Sequence, residues 1–295
     1  MSAAQRADAP RIGYVGLGNI GAPMAARLAK APGGLTVFDL SAEAVGKLVD
    51  QGAQAADSLA ALAETSDIIG ICVVTDDQVR TVVAGDGGLL SAAAPGTVIT
   101  VHSTIGPDTA VELAEVCAAQ GVTLLDAPIS GGAPGAEQGR LAIMVGGPRD
   151  AYTAIKEPFS LTADMIVHAG EQVGAGTKMK LARNLLHFIS FTATTEASRL
   201  AEAAGIDIAK LGKVVRHTDA ITGAAGAIML RDTTAEIEPD DFWYGVFIHV
   251  RTLGEKDLSL ALALGAELGV ELPLGTQAYE DLARGLGVPH HEGES

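Results

Sequence analysis

Lys180 and Asn184 stand four residues apart in the run Gly174-Ala175-Gly176-Thr177-Lys178-Met179-Lys180-Leu181-Ala182-Arg183-Asn184. On a helix that spacing is one turn, so both side chains share a face. A lysine beside an apolar cleft loses proton affinity, because burial penalises its charge. Such an amine can exchange a proton with a substrate hydroxyl near neutral pH. An asparagine one turn away can hold that amine or the substrate oxygen. Spacing alone favours a plainer reading, a solvated basic helix start with Lys178, Lys180 and Arg183 all exposed.

A second candidate is the run Asp126-Ala127-Pro128-Ile129-Ser130-Gly131-Gly132, which follows a strand-like segment. Ser130 offers a hydroxyl, and Gly131 and Gly132 offer exposed backbone N–H groups, a combination suited to a small carboxylate. The same loop reads equally well as a structural turn.

The third is Gly16-Leu17-Gly18-Asn19-Ile20-Gly21, between a short apolar run and a small-residue helical pattern. Gly16 permits a tight turn, Gly18 lets the backbone approach a pyrophosphate, and Gly21 lets the new helix pack on its strand. The helix N-terminus then presents N–H groups and positive dipole density to phosphates through Leu17, Asn19 and Ile20. Three glycines alone are a weak signal, and an ordinary Gly-rich turn stays open; the strand–turn–helix context strengthens the dinucleotide reading. Asp39 follows the second strand-like run, about 20 residues on, where an acidic side chain binds the adenosine ribose hydroxyls and repels a 2′-phosphate. Leu40 stands where an arginine would accept that phosphate, so NAD is expected over NADP. An acidic residue at a helix start is the plainer alternative for Asp39.

The elements that must position these groups follow from the hydrophobic pattern. Strand-like runs fall at 12–15, 35–38, 68–74, 98–101, 123–126 and 143–145, with helix-like runs between them, such as 42–51 and 107–119. Such alternation predicts an α/β fold, a doubly wound Rossmann-type parallel sheet with helices on both faces. The pattern changes near Gly170. Residues 178–204 read as one long helix free of Gly and Pro, with apolar residues on more than one face, which predicts burial on several sides and a second subunit supplying part of it. The expected organisation is a dinucleotide-binding domain over 1–172 and an all-helical substrate and oligomerisation domain over 173–295. The ends, 1–9 and 289–295, read as disordered.

Composition narrows the partners. The chain has 295 residues, 48% hydrophobic and only 4% aromatic, so its core is built from Ala, Leu, Val and Ile. A net charge of −16 is ill suited to a nucleic-acid backbone, which needs clustered Lys and Arg. No apolar stretch reaches membrane-span length, and the N-terminus lacks the apolar core of a secretory signal. Cys72 and Cys117 are isolated, forming neither a disulfide framework nor a metal site. A cytoplasmic setting is the simplest expectation.

Taken together, the motifs resemble the β-hydroxyacid dehydrogenases, the group that includes 3-hydroxyisobutyrate dehydrogenase and tartronate semialdehyde reductase. The likeness spans nearly the whole chain in order: the glycine run continuing through Ala22-Pro23-Met24-Ala25, then Ser103-Thr104-Ile105-Gly106-Pro107, then the run from Asp126 to Gly132. Gly139-Arg140-Leu141-Ala142-Ile143-Met144-Val145-Gly146-Gly147, the lysine run and Lys256-Asp257-Leu258 complete it. The resemblance implies that Lys180 is the catalytic lysine, with Asn184 supporting it. Ser130, Gly131 and Gly132 would bind the substrate carboxylate together with Lys180 and Asn184. Ser103 and Thr104 would lie near the nicotinamide, Val74 and Thr75 near the cofactor ribose, and Lys256 would approach cofactor and substrate from the second domain. The implied activity is interconversion of a small 3-hydroxy acid and its aldehyde or keto acid, with NAD and no metal, while the long apolar helix points to a homodimer or homotetramer formed through the helical domain. The segment 242–247 is expected to help line the substrate pocket.

The chain also departs from the family pattern. Arg183 replaces the first of two asparagines that often follow the lysine. Val101-His102 precedes the Ser-Thr pair where an acidic residue is common, and Val74-Thr75 replaces a Leu-Pro-like pair. His102 is a tempting extra acid or base, although a histidine at a strand end is more often structural or exposed. An imine reductase-like enzyme and a non-catalytic dinucleotide-binding sensor or scaffold are the alternatives. Both are expected to lose the lysine, so Lys180 argues against them.

Overall fold

The computed structural model describes residues 9–290. The expected disordered lead and tail lie mostly outside the described residues. The chain packs as two compact units, the first ending at Arg183 and the second beginning at Asn184.

The first unit alternates strand and helix: β1 (Ile12–Val15), α1 (Gly21–Leu28), β2 (Leu35–Phe38), α2 (Ala42–Val49), β3 (Gln54–Ala55), α3 (Leu59–Glu64), β4 (Ile68–Ile71), α4 (Asp76–Ala84), β5 (Val98–Val101), α5 (Pro107–Ala118) and β6 (Thr123–Asp126). It continues through β7 (Ile129–Ser130), α6 (Gly132–Gln138), β8 (Leu141–Gly146), α7 (Arg149–Phe159), β9 (Ala163–Gly170) and the start of α8 (Ala175–Ala203). The strand order is β3-β2-β1-β4-β5-β6-β8-β7, with β9 on β8. Pairing is parallel from β3 to β6. Residues β1, β4 and β5 contribute are buried throughout, as expected of parallel strands covered on both faces. Successive side chains alternate faces. Ile12, Tyr14 and Leu125 therefore join one apolar cluster with Met24, Leu28 and Phe159, while Val15, Ile71 and Leu124 join another with Val79, Val83 and Leu113.

The sheet ends in a mixed edge rather than continuing parallel. β8 runs antiparallel to β6 and β7, and β9 runs parallel to β8. The connection 131–140 is too short for a parallel crossover, which needs about a dozen residues or more.

Register matters most for function. Val15 lies opposite Phe38 and Ile71, Ile71 opposite Val101, and Val101 opposite Asp126. The carboxyl ends of five strands therefore form one row, and every candidate loop of the first unit leaves from it. The expected boundary near 172 follows the last strand; the compact unit extends further because the first turns of α8 pack on β6 and β8.

In the second unit, α9 (Ile208–Thr222), α10 (Tyr244–Leu268) and α11 (Pro273–Leu286) follow α8. Ile237, Phe247, Leu286 and Val288 form a small apolar core. Glu196 is buried and accepts hydrogen bonds from the backbone N–H groups of Leu274 and Gly275 at 2.8 and 3.0 Å. It thereby satisfies orphan donors at the start of α11. The long helix differs from expectation in one respect. Leu185, Phe188, Ile189 and Phe191 are exposed, so a single chain does not supply the many-sided burial its composition predicts. Among the described residues no helix is long and apolar enough to cross a membrane.

Candidate active site

The glycine run forms the turn between β1 and α1. Gly16 has φ +92°, and a Cβ there would lie 2.3 Å from the Cys72 carbonyl oxygen. A Cβ at Gly21 would lie 2.0 Å from the Gly16 carbonyl oxygen, whereas among the described residues nothing lies within 4 Å of the Cβ position at Gly18. Two glycines thus permit close backbone packing, and the third leaves space open over the loop. The N-cap of α1 is Ile20, with no side-chain cap and no acidic residue in the first turn. A helix start free of anionic side chains and facing open space fits a pyrophosphate. Asp39 Oδ2 accepts from Leu17 N at 2.6 Å and Oδ1 from Ser41 N at 2.8 Å. The carboxylate therefore ties the glycine loop to the end of β2. Leu40 is fully exposed beside it.

The loops after β4 and β5 are tied together by Ser103. Its buried hydroxyl donates to the Val73 carbonyl at 2.7 Å and accepts from Val73 N at 3.0 Å. The adjacent Thr104 is exposed. Val74 is also exposed, and Thr75 caps α4 in a reciprocal box with Gln78. Ser103 thus shapes the segment that presents Val74 and Thr75, a role that its place in a motif did not reveal.

Lys180 is 8% exposed, against the solvated-helix reading, whereas Lys178 is exposed. Lys180 Nζ lies 3.3 Å from Ser130 Oγ, to which it donates. Burial, and secondarily the charge of Arg183, lower its pKa from the ordinary lysine value. Ser130 ends β7, and Gly131 and Gly132 follow at φ +129° and +62°, conformations that turn the backbone sharply and that side chains rarely adopt. Two separated sequence motifs therefore meet at one point. Asn184 lies one turn beyond Lys180 along α8, at the start of the second unit. Lys256 belongs to α10 of that unit, where its ammonium lies 3.1 Å from Asp257. Within the segment 242–247, Phe242 is exposed and Phe247 is buried in the apolar core of the second unit.

His102 is structural. It is buried between Tyr14 and Phe159, with Nδ1 3.0 Å from the Ala127 carbonyl and Nε2 3.2 Å from Thr100 Oγ1. Burial pushes its pKa down to about 4, so it stays neutral. Its ring braces neighbouring strand ends instead of reaching a reactant. A residue the motif reading passed over is Asp126, whose buried carboxylate accepts from Gly174 N at 2.7 Å and Thr177 N at 2.6 Å. The only sequence signal was an acidic residue at the end of an apolar strand, where burial without a partner is costly.

Comparison with known proteins gives the family. Residues 11–170 match the family model for the NAD binding domain of 6-phosphogluconate dehydrogenase. Residues 174–291 match that for the NAD-binding domain of NADP-dependent 3-hydroxyisobutyrate dehydrogenase. The chain is 56% identical to an uncharacterized oxidoreductase of Mycobacterium tuberculosis, over 97% of both chains. It is 37% identical to 3-hydroxyisobutyrate dehydrogenase of Pseudomonas aeruginosa, over 96% of this chain and 93% of the relative. A solved structure of an oxidoreductase from Mycobacterium avium superposes with a TM-score of 0.91 at 55% identity, covering 95% of this chain and all of that one. With a dinucleotide-shaped glycine loop, a buried lysine beside the Ser-Gly-Gly turn and family matches to both halves, the chain belongs to the β-hydroxyacid dehydrogenases, NAD(P)-dependent oxidoreductases with a Rossmann-type domain followed by a helical one.

Proposed function

We propose that this protein oxidises the hydroxyl of a small 3-hydroxy acid, or reduces the corresponding carbonyl, with NAD preferred and with Lys180 as general acid and base. The observation that carries the reading is the buried Lys180 amine 3.3 Å from Ser130 Oγ. In this reading the Ser130-Gly131-Gly132 turn holds the substrate carboxylate, so a hydroxyl a few bonds away comes within reach of Nζ. When bound, the nicotinamide cofactor supplies the hydride acceptor. Uncharged Lys180 takes the hydroxyl proton as the carbon–hydrogen bond breaks, and in the reverse direction the ammonium returns a proton to the carbonyl oxygen. Asn184 and Lys256 keep the roles that family likeness gives them, a substrate-side amide and a cofactor-side ammonium. Free Cys72 and Cys117 suit a reducing compartment such as the cytoplasm.

The test is NAD(P)H formation across 3-hydroxyisobutyrate, L-serine, glycerate, threonate, 4-hydroxybutyrate and sulfonated analogues. The first two are the substrates named by relatives at 37% and 34% identity. Turnover with one of them supports the reading. Tight cofactor binding without any turnover would instead indicate a sensor, and reduction of imines alone would indicate an imine reductase. NAD should exceed NADP in efficiency by at least about tenfold, some 1.4 kcal/mol, because in this reading the Asp39 carboxylate repels a 2′-phosphate. Asp39→Ala with Leu40→Arg should relax that preference. It should also weaken NAD binding, since Leu17 N and Ser41 N lose their acceptor. Equal use of NADP by the unaltered enzyme rejects this role for Asp39.

The exposed Leu185, Phe188, Ile189 and Phe191 on α8 support assembly into a homodimer or homotetramer, since a row of large apolar side chains is rarely left in water. Light scattering at micromolar concentration should give a mass well above the 30.0 kDa of one chain; a monomer rejects it.

A further inference from the structure

We propose that Asp126 is the positioning residue of the site, the group that locks the lysine-bearing helix to the strand that leads into the Ser130 turn. This inference rests on the reading of Lys180 as the proton-transfer group. Asp126 ends β6 and is 0% exposed. Each carboxylate oxygen accepts one backbone N–H from the start of α8, Oδ1 from Gly174 and Oδ2 from Thr177. Four residues after Asp126 comes Ser130; three residues after Thr177 comes Lys180. One buried carboxylate therefore joins the two segments whose side chains meet at 3.3 Å.

The surrounding backbone reinforces the junction. A Cβ at Gly176 would lie 2.3 Å from the Met144 carbonyl oxygen and 2.7 Å from that of Asp126. A Cβ at Gly146 would lie 2.3 Å from Asp126 Oδ1 and 2.7 Å from Gly176 N. Helix start and strand ends are thus in direct main-chain contact, with glycine required on both sides. Ordinary helix capping needs a Ser, Thr, Asp or Asn at the helix's own N-cap. Here the acceptor comes from 48 and 51 residues away, which couples helix register to the sheet. A neutral amide cannot replace it, because one of its two ends is a donor and would face a donor N–H.

The experiment compares Asp126→Asn and Gly176→Ala with the unaltered enzyme, using the hydroxy acid that gives turnover and NAD. Asn preserves shape and removes one acceptor; Ala pushes the helix away while leaving the carboxylate intact. Both should lower kcat by about 10- to 100-fold, the effect of a displacement on the order of 1 Å at reacting atoms. NAD affinity, measured by fluorescence quenching, should stay within about twofold, and it reports that the first unit is folded. The pH at which oxidation switches on should rise toward the ordinary lysine range as Nζ leaves its buried place near Arg183. Should Asp126→Asn fail to bind NAD, Gly176→Ala carries the test. A folded variant with unaltered kcat and pH profile, and only a lower melting temperature, overturns the proposal and leaves Asp126 a stabilising cap. Lys180→Ala separates the two levels. If it retains turnover, the reading of Lys180 fails; if it is inactive while Asp126→Asn is normal, only the positioning role fails.

Discussion

Lys180→Ala is expected to lower turnover by about 10²–10⁴-fold, the range for loss of a general acid–base group. NAD binding should change little, because the glycine loop and Asp39 follow β1 and β2 and not the lysine-bearing α8. Lys180→Arg should also be poor, since a guanidinium stays protonated and cannot act as a base. Lys178→Ala is the internal control: Lys178 is exposed, and its loss should cost far less. In the unaltered enzyme the oxidation rate should rise with pH as Lys180 loses its proton, at a pH below the ordinary lysine value because burial and Arg183 disfavour the charge. Removing the charge by Arg183→Ala should move that limb to higher pH. Steady-state kinetics from pH 6 to 10 on the unaltered enzyme and the four variants measure these effects. Near-normal turnover by Lys180→Ala would remove the amine from the mechanism.

The second large effect concerns stability in acid. His102 titrates near 6.5 when unfolded and near 4 in the fold, because burial penalises its cation. Between those values the unfolded chain binds the extra proton, so stability falls as pH falls. The contribution is whole above pH 6.5, declines below it and is gone below about 4. Its full size is about 3 kcal/mol, with about 2 kcal/mol lost by pH 5. Urea unfolding of the unaltered chain and of His102→Asn, at pH 7.5 and 5.0, isolates this share from the carboxylates. Asn keeps a donor for the Ala127 carbonyl and does not titrate. If both proteins lose the same stability, His102 is not the group responsible.

The glycine loop, its strand and Asp39 were legible because their constraints are local. A turn at φ +92° and a close helix approach need glycine wherever the chain goes next. Likewise β1, β2 and β4 to β6 show as apolar runs because a parallel sheet covered on both faces needs nothing else. The mixed edge was less legible. β9 is largely exposed or half-buried, so its sequence carries no clear period, and its pairing with β8 depends on a partner outside its own segment.

The site divides along the same line. The residue types and their order were sufficient for the family, the nicotinamide cofactor and the lysine as a candidate base. Spacing alone left Lys180 as one of three cations at a helix start, with the solvated reading the stronger, and only the family resemblance raised it above the other two. Tertiary structure decided otherwise, because Asp126, Gly146 and Gly176 bring α8 onto the sheet and turn Lys180, not Lys178, toward Ser130. It also took His102 out of the chemistry by closing Tyr14 and Phe159 around it. Local backbone demands are written in a few neighbouring residues; the burial of a charge depends on groups some fifty residues away, and only the fold brings them together.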